Sequence, residues 1–380
     1  MCVPEIRANP PFAIYRLFRE KMKANLHWIQ ALRGLAALLV LFFHMSPHWD
    51  LVPILASLTS PMKWWFSGVD IFFALSGFVV YRSARNTVSA TGLWPFVKRR
   101  LQRIYFGYWP ILLLIALTTI FVYGSDLPPL KKMVFSTLLL YPNIWDNWLP
   151  PAWSLTMEIY FYLWIALIAL LPQRHQIKAI VCAMLLLIAW GVGCLVVDPA
   201  GVFNGQQPLR YLLTGLGLEF LAGALVAHAH TSGSRIFKTP ILTIPICIVL
   251  MAAGVSLGMT SPYFDRIEIM RAASFGVMGA AALVLALTLE QTPLAPPAWL
   301  VRIGDASYSL YLLHTFLLDA SGRARVQLQI DSPTVLLFFM LALPVTIVLI
   351  SMVWYRRVER PIMEASFRGG SLALPRRIQA

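Results

Sequence analysis

Residues 334–355 read TVLLFFMLALPVTIVLISMVWY, a run without one charged side chain. At 1.5 Å per residue a helix of that length measures about 33 Å, close to the thickness of a bilayer's hydrocarbon core. Working outward, nine further apolar segments can be drawn, at roughly 31–47, 63–82, 104–124, 153–172, 177–197, 209–229, 240–259, 271–290 and 304–322. The whole chain agrees: 58% of its 380 residues are hydrophobic and 13% are charged, against about 25% charged in soluble proteins. Mean hydropathy is +0.69. The expected fold class is all-α, a polytopic transmembrane helical bundle of about ten spans. A cytosolic enzyme, a secreted disulfide scaffold and a disordered chain are excluded. Segment 130–141 is too short to span; its Lys131-Lys132 start and Tyr141-Pro142 stop suggest a re-entrant or interfacial helix.

Ten spans put both ends on one side, and the basic residues indicate which. With the N-terminus inside, the inner segments hold 23 of the 31 Lys and Arg residues. The outer segments hold the other 8, namely Lys63, Lys131, Lys132, Arg210, Arg266, Arg271, Arg323 and Arg325. The bias predicts N-in and C-in, with Trp64, Trp65, Trp145, Trp148 and Trp153 at the outer interface. The expected organisation is a basic cytoplasmic tail over 1–30, a membrane domain over 31–362 and a second basic tail over 363–380. The net charge of +14 then belongs to cytoplasmic loops, and no recognition motif accompanies it to suggest nucleic acid. Cys2, Cys182, Cys194 and Cys247 show no metal-type or CxxC spacing, so neither metal nor disulfide framework is expected. The basic start runs about thirty residues before the first apolar stretch, unlike a cleaved signal peptide.

Charged groups at membrane depth are costly, so each needs a reason. Arg33 and His44 lie eleven residues apart, three helical turns plus about 20°, hence on one face and about 16 Å apart along the axis. Asp70, in Gly68-Val-Asp-Ile-Phe-Phe-Ala-Leu-Ser-Gly-Phe78, sits about 9 Å below Trp64, and an unpaired carboxylate there would protonate. His44 is its nearest candidate partner by depth. Glu158 follows Trp153-Ser154 into a later span, and His314 closes Ser307-Tyr-Ser-Leu-Tyr311-Leu-Leu-His314 near the midplane. Two imidazoles and two carboxylates at similar depth suggest an acid/base cluster, although each alone could simply join helices. Glu219 is mid-span with no evident partner, and a structural role is favoured for it. In the loop Lys98-Arg99-Arg100-Leu-Gln-Arg103, Arg100 and Arg103 share a helix face and could clamp phosphates. A coenzyme A thioester or a phospholipid headgroup would both satisfy them.

Taken in order, these residues resemble the bacterial acyltransferase 3 family of integral-membrane O-acyltransferases, over about residues 28–362. The resemblance rests on Arg33-x10-His44, Gly68 to Phe78, Arg100-Leu-Gln-Arg103-Ile-Tyr, Trp153-Ser154-Leu-Thr-Met-Glu158 to Tyr162, Ser307 to His314, and Val358-Glu359-Arg360-Pro361. Phe106 and Ile159 depart from the usual pattern, which commonly has Pro and a second acid there. The resemblance implies transfer of an acyl group, commonly acetyl, from cytoplasmic acyl-CoA to a hydroxyl of a carbohydrate or glycolipid. Acyl-CoA would be a co-substrate, with no bound cofactor; a protein partner is unspecified. Arg33, Arg100 and Arg103 would hold the donor, His44 would be the base, and Asp70 or Glu158 would orient it. His314, Tyr311, Trp153, Ser154 and Glu219 are candidates for supporting or acceptor-binding positions. Ser76 and Ser154 are the alternatives worth testing as acyl carriers. With the chain ending soon after the tenth span, transfer is expected within the membrane domain or through a separate protein. The rival reading is a proton-coupled exporter of an anionic or sugar-lipid substrate, since embedded carboxylates and histidines also suit transport. The chain shows no internal repeat of the kind many transporters have.

Overall fold

The structure, a computed structural model, describes residues 26–129, 131–140, 147–197, 213–260 and 268–368. Most of both basic tails, Cys2, Trp145, Arg210 and Arg266 lie outside the described residues, as do most of the loops around 198–212 and 261–267. Among the described residues every regular element is helical. Lipid offers no partner for backbone N–H and C=O groups, so a helix that pairs them internally is the available solution. The principal helices are α1 (His27–Trp49), α2 (Pro53–Met62), α3 (Gly68–Thr91), α4 (Leu93–Phe121), α5 (Trp153–Ala169) and α6 (Gln173–Val197). They continue with α7 (Leu216–Thr231), α8 (Pro240–Met259), α9 (Glu268–Leu289), α10 (Ala298–Asp305) and α11 (Ser307–Gln327). The last are α12 (Pro333–Trp354) and α13 (Arg360–Arg368), joined by a π-helical turn, Tyr355–Glu359.

Each of the ten apolar segments coincides with a helix, but fewer than ten meet the requirements of a span by themselves. Among the described residues seven helices are long and apolar enough to cross a membrane, or eight if α2 and α3, bent by 50° at their junction, count as one. The segment drawn at 209–229 corresponds to α7, only 16 residues long. That drawn at 304–322 corresponds to α11, whose second half carries Asp319, Arg323 and Arg325. Hydropathy locates apolar runs, whereas helix ends depend on the packing around them. The expected short element at 130–141 is a seven-residue π-helix, Lys132–Leu138. Its carbonyls at Thr137, Leu138 and Leu139 accept from Tyr108, Trp109 and Tyr105 of α4. Those three side chains lie about 20 Å along α4 from its end at Phe121, so the element reaches well down the bundle, as a re-entrant segment does.

Helix α3 is the central element, packed against α1, α5, α7 and α9. Its crossing with α7 is close because small residues meet there. A Cβ on Gly77 would fall 1.8 Å from the Phe220 carbonyl oxygen, and one on Gly223 1.9 Å from that of Ala74. Without hydrophobic drive between helices in lipid, such backbone approach supplies the packing. By contrast α6, α8 and much of α12 keep apolar side chains exposed, including Leu185, Ile241 and Phe338, as lipid-facing helices should.

Hydrogen bonds gather the helix ends. The Trp28 and Ile29 N–H groups at the start of α1 donate to Glu290 after α9, at 2.6 and 3.4 Å, satisfying donors that the helix itself leaves unpaired. Arg33 meets Ser307 of α11, Arg85 of α3 meets Thr231 and Gln173, and Arg103 of α4 meets Glu359. The starts of α1, α6 and α11 and the ends of α3, α7, α9 and α12 therefore share one face. One residue expected in an outer segment does not stay there: Arg271 is buried, with 8% of its surface exposed.

Candidate active site

The expectation that Arg33 and His44 share a face of α1 is met by their common neighbour. Both touch α11, Arg33 at Ser307 and His44 at His314. The histidine geometry fixes its own protons. His314 Nδ1 lies 3.2 Å from the Leu310 carbonyl oxygen and His44 Nδ1 lies 2.9 Å from that of Val40. A carbonyl only accepts, so in the neutral rings both Nδ1 atoms carry hydrogen. His314 Nε2 is then a lone pair, and it lies 3.2 Å from His44 Nδ1, sharing that N–H with Val40. His44 Nε2 is left as an unprotonated nitrogen with no hydrogen bond among the described residues. The two rings are 4.8 Å apart at 62°.

Toward the start of α1, Arg33 is joined by Arg100 and Arg103 of α4 in a cluster of basic groups. Arg33 Nε donates to Ser307 Oγ at 3.2 Å, and its terminal nitrogens make no hydrogen bond among the described residues. Arg100 lies over the Phe96 ring at 5.8 Å and beside Tyr162 and Glu158, again with no ion pair among the described residues. Arg103 differs. It donates to Glu359 Oε1 at 3.1 Å and covers the Tyr308 ring at 5.4 Å. Glu359, 1% exposed, also accepts from Ser309 Oγ at 2.5 Å. Its helix winds as a π-turn there, a distortion common at functional positions.

A file of polar side chains runs from the arginines to the histidines. Tyr162 and Ser76 both donate to Glu158 Oε1, at 2.6 and 2.9 Å. One turn along α5 from Glu158, Ser154 hydrogen-bonds the Tyr311 hydroxyl at 2.8 Å. Tyr311 in turn sits one turn from His314, with ring centroids 5.9 Å apart. Trp153 is not part of this file; its ring packs edge-on to Phe73.

The expected carboxylate behind His44 is not there. Asp70, fully buried, receives two parallel bonds from Arg271, Nε to Oδ1 at 2.8 Å and Nη2 to Oδ2 at 2.9 Å. That fork geometry is the strong form of a carboxylate–guanidinium pair. Phe66 is packed on the other side of Arg271, 4.9 Å from ring centre to guanidinium, and reaches Phe43 at 5.6 Å. Glu219, expected without a partner, faces the same cluster beside Asp70 and Arg271, though its two oxygens accept no hydrogen bond among the described residues. Glu158 is likewise bonded to hydroxyls rather than to an imidazole. Depth along a helix does not give the azimuth that decides which neighbour these acids meet.

Sequence reasoning missed Arg271, counted as a loop cation, and the part played by Glu359. For Arg271 a signal existed: a buried Asp70 demands a cation, and Arg271 opens an otherwise apolar span. Tyr162, four residues after Glu158, was legible from helical spacing. The Val40 carbonyl was not, since no side chain announces it.

Comparison with known proteins was made against this geometry. Residues 26–355 match the family described as acyltransferase domain. The chain is 26% identical over 315 residues to the exopolysaccharide production protein ExoZ of Rhizobium meliloti, covering 78% of this chain and 89% of that protein. It is 24% identical over 367 residues to O-acetyltransferase OatA of Staphylococcus aureus, covering 90% of this chain but only 57% of OatA. It is 28% identical over 271 residues to acyltransferase MdmB of Streptomyces mycarofaciens, covering 65% and 66% respectively. No solved structure matches.

Proposed function

The chain belongs to the acyltransferase 3 family, and from that premise we propose that it moves an acyl group, acetyl by preference, from cytoplasmic acyl-CoA to a carbohydrate hydroxyl at the membrane. Ten helices would cross the bilayer, with both termini and the arginine cluster on the cytoplasmic side. Arg33 and Arg100 carry guanidinium donors unclaimed by carboxylates, and Arg103 adjoins them, so together they suit the phosphates of coenzyme A. The pantetheine arm, long and thin, would follow the polar file toward His44.

His44 Nε2 would take the proton of the acceptor hydroxyl as its oxygen attacks the thioester carbonyl. Collapse of the tetrahedral adduct breaks the C–S bond, and the imidazolium returns that proton to the departing thiolate. The positive ring would be held by two neutral acceptors, the Val40 carbonyl and the His314 lone pair, rather than by an acid. His314 is thus a positioning residue that fixes the tautomer and orientation of His44. The observation that carries this reading is the free Nε2 of His44, whose ring is held at Nδ1 by His314 and Val40, about 16 Å along one helix face from Arg33, which has no ion pair among the described residues. ExoZ and OatA, by their names, concern an exopolysaccharide and O-acetyl transfer, and a polysaccharide or its lipid-linked precursor is the proposed acceptor here.

The test is purified protein in nanodiscs supplied with labelled acetyl-CoA and a set of envelope glycans. Release of free CoA that requires both an acceptor and His44 is the expected result. Movement of substrate across the disc with the thioester intact would overturn it in favour of an exporter.

A further inference from the structure

Away from the histidines and arginines, a cavity of about 570 Å³ lies between α9 on one side and α6, α7 and α8 on the other. Its long wall is one face of α9, from Ile269 to Val284, where Ala272, Gly276 and Ala280 keep the side chains short. Fifteen steps of helix rise about 22 Å, so the crevice is elongated along α9. An extended hydrocarbon chain, whose carbons pack against a wall at about 3.5–4.0 Å, fits that shape lengthwise. The wall is apolar except for the Thr243 hydroxyl and the Glu219 carboxyl. The Thr243 hydroxyl is spent on the Ile236 carbonyl at 2.6 Å, and the buried Glu219 carboxyl lies with Asp70 and Arg271. A sugar or a nucleotide would lose its hydrogen bonds here; a hydrocarbon chain would lose none and would gain the wall contacts that an empty crevice forfeits.

The end marked by Ile236 supplies a headgroup site. Ile236 belongs to the short turn Arg235–Lys238, and both cations are exposed with no ion pair among the described residues. Arg82, on the neighbouring end of α3, adds a third positive charge beside His230. Charge at the mouth and hydrocarbon within describe one amphiphile. We propose that this crevice binds one acyl chain of an anionic phospholipid from the leaflet on the Arg235–Lys238 side, with its phosphate held by those two residues. Polybasic edges of membrane proteins select anionic headgroups in this way. The site is independent of the acyl-transfer reading.

Native mass spectrometry of the detergent-purified chain, incubated with equal amounts of phosphatidylglycerol and phosphatidylethanolamine of matched chains, tests it. One bound phospholipid is expected, with phosphatidylglycerol preferred by about tenfold. The double substitution Arg235→Ala, Lys238→Ala should keep occupancy and remove the preference. Ala280→Phe should cut occupancy at least about tenfold, and Ala273→Leu, at another level of the channel, should do the same if the first variant fails to fold. Equal binding of the two lipids by the wild type, or unchanged occupancy in a folded filler variant, would overturn the proposal. Retention of a lipid-linked glycan in place of phospholipid would overturn it too. The two cations are on the surface, so the headgroup arm stands even if both filler variants misfold.

Discussion

Two sets of ionisable side chains lie within this bundle, the first buried and the second half-buried, and they are completed to different degrees. In the first, Asp70 and Arg271 exchange two short bonds and exclude other partners. In the second, Arg33 and Arg100 have guanidinium donors to spare, and His44 presents a bare nitrogen. A buried ion whose partner is protein has spent its electrostatic energy on the fold. One whose partner is absent keeps that energy for something that arrives later, at a cost in the stability of the empty protein. The difference teaches that depth and residue type alone are poor guides to chemistry. Asp70 and His44 have equal claims by sequence, and only the neighbours separate the paired carboxylate from the proposed base.

Substitutions can break or sharpen this contrast. The largest effect is expected at His44. His44→Gln should lower turnover by about 10²–10⁴-fold, with donor affinity intact in a direct binding titration. Next, Asp70→Ala leaves Arg271 buried without its carboxylate and should destabilise the fold by about 3–5 kcal/mol, read as a fall in the thermal unfolding midpoint. Were Asp70→Ala to keep its melting temperature and lose turnover as His44→Gln does, the division into two sets would collapse. Arg33→Ala and Arg100→Ala should each weaken donor binding by about 1.5–3 kcal/mol, the range for a hydrogen bond to a charged group. Their melting temperatures should hold or rise, since no protein carboxylate is left unpaired. Smallest is Ser154→Ala, which removes the Tyr311 bond and should cost about 1 kcal/mol, measured as a modest decrease in turnover. Complete loss there would instead identify Ser154 as an acyl carrier.

Much of this arrangement was legible in advance. The spacing of Arg33 and His44 carries over because α1 is continuous through both positions, and an unbroken helix has no freedom to rearrange its own faces. His314, placed at a similar depth to His44 by helical rise, does meet it. What was misread concerns pairs of helices. The His44–Asp70 partnership failed because two groups at one depth can still look in different directions. Arg103 was grouped with Arg100 as free, yet Glu359, 256 residues later, engages one and not the other.

The sequence alone determined that this is a multi-pass helical membrane protein, because lipid permits few ways to bury a backbone and the apolar runs have the length to use one. It also determined which residues share a level and a face along any one helix, since rise and rotation per residue are constant. The tertiary structure decided which of them meet: the imidazole pair, the carboxylate that Arg271 takes, the arginines left over. Those outcomes depend on how each helix is rotated about its axis against its neighbours, and that rotation is set by packing such as the Gly77–Gly223 crossing, which is a property of helix pairs and is written in neither strand of sequence by itself.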